Sequence, residues 1–104
     1  MTKVYVSQPM RGISDAKILV LREKLFGEFQ AEHPDEPMEL IDSIVPPNKA
    51  IRQVQKPSIA MLAHSIEKMA DADVAIFAVG WEKYAGCRIE NYVARYYEIP
   101  IVYA

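Results

Sequence analysis

The sequence predicts an α/β fold, in which a parallel sheet of about four strands carries helices on both faces. Segments of strand character alternate with segments of helical periodicity, which is the chain order of a parallel α/β domain. The apolar run over residues 74–79 is nearly continuous, as in parallel strands covered on both faces. The chain has 104 residues, enough for one modest core, so residues 1–104 are predicted to form a single domain.

The first half of the chain predicts a strand, a helix and a second strand. Residues 3–7 are β-branched and aromatic, which favours a strand. Ser14 can cap a helix over residues 15–32. That helix has an apolar stripe at helical spacing, formed by Ile18, Leu21, Leu25 and Phe29. Two prolines end it, and residues 38–42 predict the second strand.

The second half begins with a proline-rich loop over residues 43–57, with one helical turn expected near residues 50–54. A helix is predicted over residues 57–70, because proline is favoured at the first helical position. Its apolar face comprises Ile59, Leu62, Ile66 and Met69. After the strand at 74–79, a helix over residues 87–97 and a terminal strand over 99–103 complete the alternation.

Composition and charge narrow the class of partner. The formal charge of −2 and the pI near 5.6 give no reason to bind a nucleic-acid polymer or an anionic membrane, which favours a small ligand or a protein partner. No apolar run reaches the roughly 18 residues of a membrane span. The chain has a single cysteine and starts without a signal-like region, so a cytoplasmic location is expected.

Familiar cofactor and metal motifs are absent from the sequence. It has neither the G-x-G-x-x-G spacing of dinucleotide-binding loops nor the G-x-x-x-x-G-K-[ST] spacing of P-loops. Its histidines, cysteine and carboxylates do not cluster at metal-ligand spacing. We therefore predict that the protein uses no cofactor and no metal.

Glu90 is the residue with the strongest case for chemistry. It lies near the start of the last predicted helix, after a buried strand and a loop, and ligands of open α/β sheets bind beyond the carboxyl ends of the strands. A carboxylate there can act as a nucleophile on an anomeric carbon or as a general base. The alternative is a solvated glutamate that interacts with the helix dipole.

Two loops supply further candidates. After the first strand, Ser7 can bind a ligand or serve a turn, and the pair Arg11 and Gly12 can place a guanidinium and backbone N–H groups near an anion. Before the last helix, Trp81 can stack on a base or pack against the sheet. Gly86 is expected to supply a turn conformation or a close backbone approach.

Three blocks of the sequence carry a family resemblance that covers nearly the whole chain. Residues 4–12 look like an opening strand and loop, residues 71–90 like a nucleophile region, and residues 98–102 like a closing strand. Together they resemble the nucleoside 2-deoxyribosyltransferase-like superfamily, in particular its short branch. The resemblance implies a three-layer, flavodoxin-like (Rossmann-like) fold and a homodimer or larger oligomer in which neighbouring subunits complete each site.

The resemblance also implies an activity. Similar enzymes cleave the N-glycosidic bond of a nucleoside or nucleotide with a glutamate that matches Glu90, which attacks C1′ to give a glycosyl-enzyme. A second base or water then completes the reaction. Positions expected to bind the substrate are Ser7, Gln8, Arg11, Gly12, Ser65, Trp81, Tyr84 and Gly86.

The chain departs from the family pattern at three positions. Ser65 stands where active relatives carry an aspartate, and a serine cannot serve as a carboxylate acid or base. Tyr84 stands where relatives have a serine or aspartate, and Arg88 where they often have a small residue. The alternative to an enzyme is therefore a non-catalytic nucleotide-binding or interaction protein that retains the fold.

Overall fold

A computed structural model describes residues 1–45 and 53–104. Within these residues the chain forms a four-stranded parallel sheet with the order β2-β1-β3-β4. The strands are β1 (Thr2–Ser7), β2 (Met38–Leu40), β3 (Val74–Phe77) and β4 (Ile101–Tyr103). This is the strand order of flavodoxin-like folds over their first four strands.

Helices connect the strands and form the outer layers of the fold. They are α1 (Asp15–Ala31), α2 (Pro57–Met69) and α3 (Ala85–Tyr96). The Ser14 side chain caps α1 by accepting a hydrogen bond from the Lys17 backbone, and Pro57 opens α2 at a position where its missing N–H costs nothing. A short 3-10 helix, Trp81–Lys83, lies between β3 and α3.

The two faces of the sheet carry separate cores. On one face, Val4 and Val6 pack with Leu25 of α1. On the other, Tyr5 and Phe77 pack with Met69 of α2 and Ala94 of α3. Because successive strand residues point to opposite faces, Tyr5 and Ser7 both face α2 and α3. The predicted α/β fold, a parallel sheet of four strands between helical layers, is confirmed.

The predicted boundaries need small corrections. The third strand ends at Phe77, because the chain leaves the sheet there and Val79 is 81% exposed. The predicted apolar face of α2 is incomplete, since Ile59 is exposed near the start of the helix. Helix α3 starts at Ala85, and the last strand starts at Ile101. The predicted helical turn at 50–54 lies largely outside the described residues.

Two features are absent from the described residues. No helix in these ranges combines the length and the apolar character needed to cross a membrane. Within the same ranges, no group of three or more histidine, cysteine, aspartate or glutamate side chains is placed to hold a metal ion.

Candidate active site

The candidate site lies at the carboxyl ends of β1 and β3. These strands are neighbours, and the pairing of Ser7 with Phe77 brings their ends level. The helix that follows β1 packs on one face of the sheet, and the helix that follows β3 packs on the other. In folds of this strand order, such a switch between faces opens a crevice where ligands bind.

Glu90 points from α3 into the interior beneath this crevice. Its side chain is 5% exposed, and its Oε1 accepts a 2.6 Å hydrogen bond from the Tyr5 hydroxyl of β1. Burial raises the pKa of Glu90, while the hydroxyls of Tyr5 and Ser7 and the positive charge of Arg22 lower it. Glu90 is therefore a fixed, partly desolvated carboxylate and not a solvated surface residue.

Tyr5 is the residue that holds Glu90. Burial, and then the charge of Glu90 and the hydrogen bond to it, raise the pKa of Tyr5 well above its ordinary value. The phenol therefore remains protonated at neutral pH and acts as the donor in this pair. Ser65 of α2 is buried beside this phenol, where its hydroxyl lowers the pKa of Tyr5.

Ser7 and Cys87 also lie close to the carboxylate. Ser7 is buried, and its Oγ makes no hydrogen bond of standard geometry with the residues that the structure describes. It is nevertheless close enough to the Glu90 carboxyl and the Cys87 thiol to lower the pKa of each. Burial, the larger effect, raises the pKa of Cys87, so the thiol stays protonated and packs as a small apolar group.

Gln8 is buried and forms hydrogen bonds within the protein. Its Oε1 accepts a hydrogen bond of 2.9 Å from Nε of Arg22, and its Nε2 donates to the Ile18 carbonyl at 3.0 Å. The amide thus joins the end of β1 to helix α1. Its observed contacts make it a positioning residue for Arg22.

Arg11 and Gly12 lie in the exposed turn that follows β1. The backbone N–H of Ile13 bonds to the Met10 carbonyl at 3.1 Å, and Gly12 has φ of 77°. A positive φ at the third position of such a turn favours glycine, so Gly12 has a conformational role. The Arg11 side chain is exposed beside this turn.

Trp81 covers the ends of β3 and β4. Its ring stacks on Tyr103 at 5.7 Å and meets Phe77 edge-on at 5.5 Å, so at least part of its surface serves packing. Gly80, with φ of 85°, makes the turn that directs this ring back over the sheet. Tyr84 precedes α3 and is 38% exposed, at the outer side of the same loop.

The expectation for Gly86 needs correction. This residue lies in the first turn of α3 without a positive φ, and a Cβ added to it would meet nothing within 4 Å. Neither a special turn nor a close backbone approach among the described residues requires glycine there.

Sequence reasoning did not single out two residues that shape the site, Tyr5 and Arg22. Tyr5 shares a face of β1 with Ser7, two residues later, and this spacing was the available signal for it. Arg22 lies four residues after Ile18 and three before Leu25, within the apolar stripe of α1, yet it is only 2% exposed. A charged residue inside an apolar stripe was the available signal.

A surface cleft of about 500 Å³ lies elsewhere. It is at the amino ends of the strands, the opposite edge of the sheet from Glu90. Its lining residues are Met1, Thr2, Phe29, Glu36, Pro37, Asp73 and Val74. Glu36 and Asp73 both accept hydrogen bonds within the protein, which accounts for these carboxylates structurally.

The fold and the site define a flavodoxin-like α/β protein with a buried carboxylate at the crevice between its central strands. The family described as "Domain of unknown function (DUF4406)" matches residues 2–103, and the chain belongs to this family. No curated protein and no solved structure matches the chain.

Proposed function

We propose that this protein cleaves the N-glycosidic bond of a nucleoside or nucleoside monophosphate through Glu90. The observation that carries the proposal is the buried 2.6 Å hydrogen bond from Tyr5 to Glu90, at the crevice between β1 and β3. A carboxylate held there at one oxygen is suited to attack at an anomeric carbon. The resemblance to nucleoside 2-deoxyribosyltransferase-like enzymes supports the same assignment.

In the proposed first step, the free carboxylate oxygen of Glu90 attacks C1′. The C1′–N bond breaks, its electron pair leaves with the base, and an ester joins the sugar to Glu90. Water or a second base then attacks C1′, the ester bond breaks, and Glu90 returns as a carboxylate while the attacking group loses its proton to solvent. Tyr5 holds Oε1 throughout, which fixes the other oxygen for attack.

The protonation state of Glu90 sets the condition for this chemistry. Only the carboxylate is nucleophilic, and burial raises the pKa of Glu90. The hydroxyls of Tyr5 and Ser7 and the charge of Arg22 oppose that effect, in this order. The surroundings thus retain a partly desolvated nucleophile whose ionised form is stabilised by a small set of named contacts.

Ser65 has a supporting role in this proposal. It lies beside Tyr5, where relatives are expected to place an aspartate, and its hydroxyl cannot replace a carboxylate as a general acid. The departing base therefore takes its proton from solvent. Ser65 instead orients the Tyr5 phenol that holds Glu90.

The remaining predicted contacts stay part of the proposal. Ser7 faces the sugar, since its buried hydroxyl has no partner of standard geometry among the described residues. Trp81, Tyr84 and Gly86 flank the base from the loop before α3 and its first turn, and Arg11 and Gly12 flank the opening from the turn after β1. A cytoplasmic location and a homodimer or larger oligomer complete the proposed setting.

A second candidate function is nucleotide binding without catalysis. The burial of Glu90 favours it, because a carboxylate that is 5% exposed and bonded to Tyr5 can also serve as a structural link between α3 and β1. Ser65 in place of a carboxylate points in the same direction.

Release of free base from a panel of nucleosides and nucleoside 5′-monophosphates tests the proposed function. We expect the wild-type protein to release a base from at least one member, measured by chromatography against a reaction without protein. Binding of a panel member without release would favour the second candidate. If the protein neither binds nor cleaves any panel member, in ribose or 2′-deoxyribose form, both candidate functions are contradicted.

A further inference from the structure

Arg22 is a buried cation without a paired carboxylate among the residues that the structure describes. Its side chain is 2% exposed. Across residues 1–45 and 53–104, no carboxylate oxygen lies within ion-pair distance of its guanidinium. A buried charge is costly unless it is paired or fully hydrogen-bonded, so a binding role is a physical reason to retain this arginine in an apolar stripe.

The donors of Arg22 are only partly used. Nε donates to Oε1 of Gln8 at 2.9 Å, and one terminal nitrogen, Nη2, makes a weak 3.7 Å contact with Sδ of Met10. The other terminal nitrogen, Nη1, is buried and has no hydrogen-bond partner among the residues that the structure describes. Buried donors of this kind call for a ligand, an ion or a water.

The guanidinium is also held in place. Gln8 bonds to Arg22 through its oxygen and to the Ile18 carbonyl through its nitrogen, so the amide cannot turn away without breaking both contacts. Gln8 directly follows Ser7 at the carboxyl end of β1. The structure therefore fixes the guanidinium of Arg22 next to the carboxyl end of β1, through the residue that follows Ser7.

The charge of Arg22 is coupled to that site. Burial lowers the pKa of Arg22, and electrostatic interactions with the Tyr5 hydroxyl, Asp42 and Glu90 act in the opposite direction. The titratable groups that act on the guanidinium are thus the hydrogen-bonded pair Tyr5 and Glu90, and Asp42, which follows β2. None of them is hydrogen-bonded to Nη1.

We propose that Nη1 of Arg22 binds an oxyanion, namely the phosphate of a nucleoside monophosphate whose sugar lies at Glu90. An arginine fork matches the geometry of phosphate oxygens, and a negative ligand supplies the charge that Arg22 lacks. This inference rests on the proposed function for the identity of the substrate. The expected substrate is therefore a nucleotide and not a nucleoside, and Gln8 positions the arginine.

Calorimetric binding to the Glu90→Gln protein tests the anion site separately from turnover. The probes are inorganic phosphate, a nucleoside 5′-monophosphate and the matching nucleoside. We expect free phosphate to bind and to compete with the monophosphate. Adding Arg22→Met should abolish phosphate binding and leave nucleoside binding unchanged. Binding of the monophosphate should weaken roughly tenfold to hundredfold, which is the effect of losing one charged hydrogen bond.

Three further variants make the result specific. Arg22→Lys keeps the charge but not the fork, so its affinity for phosphate should be intermediate. Lys24→Met removes an exposed cation from the same helix and should leave phosphate binding unchanged. Arg11→Met tests the exposed arginine after β1, which is the rival anion binder.

The proposal is overturned if the parent does not bind phosphate, if both Arg22 variants bind it as the parent does, or if only Arg11→Met loses it. Failure of the proposed function alone would give a different pair of results for base release and phosphate binding. In that case the wild-type protein releases no base, while phosphate binding still depends on Arg22.

Discussion

Glu90→Gln is expected to reduce the release of free base by at least about a thousandfold, because an amide oxygen cannot form the glycosyl ester at a useful rate. The side-chain amide has nearly the same shape and can still accept the hydrogen bond from Tyr5. Binding of the substrate should therefore persist while turnover is lost. Initial rates of base release, together with binding measured by calorimetry, separate these two effects.

The stability of the same variant provides the control for folding. The pKa of Glu90 is raised in the folded state, so the folded protein binds this proton more tightly than the unfolded chain. The contribution of Glu90 to the free energy of unfolding of the wild type is thus greatest below its ordinary pKa, near 4.5. It falls as the pH rises through the pKa that Glu90 has in the folded protein. Glu90→Gln removes this loss, so at pH 8 its free energy of unfolding should equal or exceed that of the wild type.

A Glu90→Gln protein that folds and still turns over substrate at the wild-type rate would rule out Glu90 as the nucleophile. Full loss of turnover in a variant that is markedly less stable than wild type would instead point to a structural link between α3 and β1.

Tyr5→Phe is expected to lower both stability and rate. The change removes the donor to Oε1 of Glu90 and leaves a buried carboxylate with one hydrogen bond fewer. We expect a loss of about 1.5–3 kcal/mol in the free energy of unfolding at neutral pH, the range for hydrogen bonds to charged groups. Because Tyr5 fixes the carboxylate for attack, its loss should also lower base release by roughly tenfold to hundredfold.

The pH dependence distinguishes Tyr5 as a positioning residue from a purely structural one. The hydrogen bond from Tyr5 lowers the pKa of Glu90, so its removal raises that pKa further. Since only the ionised carboxylate attacks, the acid limb of the pH profile of kcat/KM should move to higher pH in Tyr5→Phe. Tyr96→Phe, on the exposed side of α3, is the matched control and should leave the profile in place.

An unshifted acid limb in Tyr5→Phe would contradict this coupling. So would a Tyr96→Phe profile displaced by the same amount.

The architecture could be predicted because its determinants are local. Strand and helix periods alternate along the chain, Ser14 and Pro57 mark two helix starts, and the continuous apolar run marks the central strand. The end of β3 was placed two residues late because Val79 is as apolar as the residues before it. Only the turn at Gly80, which leads into the 3-10 helix, takes Val79 into solvent.

The candidate site could be predicted only in part. Glu90 stands out because a loop and a helix follow a buried strand, a pattern contained within one segment of sequence. Its partner Tyr5 lies 85 residues earlier, and their contact depends on the pairing of β1 with β3 and on the face that β1 presents to α3. No local pattern encodes that relation.

Arg22 illustrates a different limit of prediction from the sequence. Its position inside the apolar stripe of α1 can be read from the sequence, but periodicity alone treats such a residue as an exception on a buried face. What makes it notable is a set of contacts: Gln8 fixes the guanidinium, and Nη1 has no partner among the described residues. These are properties of the assembled fold.

The role assigned to Ser65 depends on its position in the fold. By the resemblance to nucleoside 2-deoxyribosyltransferase-like enzymes, it stands where an aspartate is expected. In the structure it is buried beside the Tyr5 phenol, one contact away from Glu90. The position thus remains connected to the candidate nucleophile even though its chemistry differs.

The most direct test of the central claim is capture of the sugar on Glu90. A 2-fluoro nucleoside or nucleotide slows breakdown of a glycosyl ester, because fluorine disfavours the oxocarbenium-like transition state. Mass spectrometry of the digested protein should then find one sugar unit on the peptide that contains Glu90, and none in Glu90→Gln. Base release without label at Glu90, or label on another residue, would contradict the proposed mechanism.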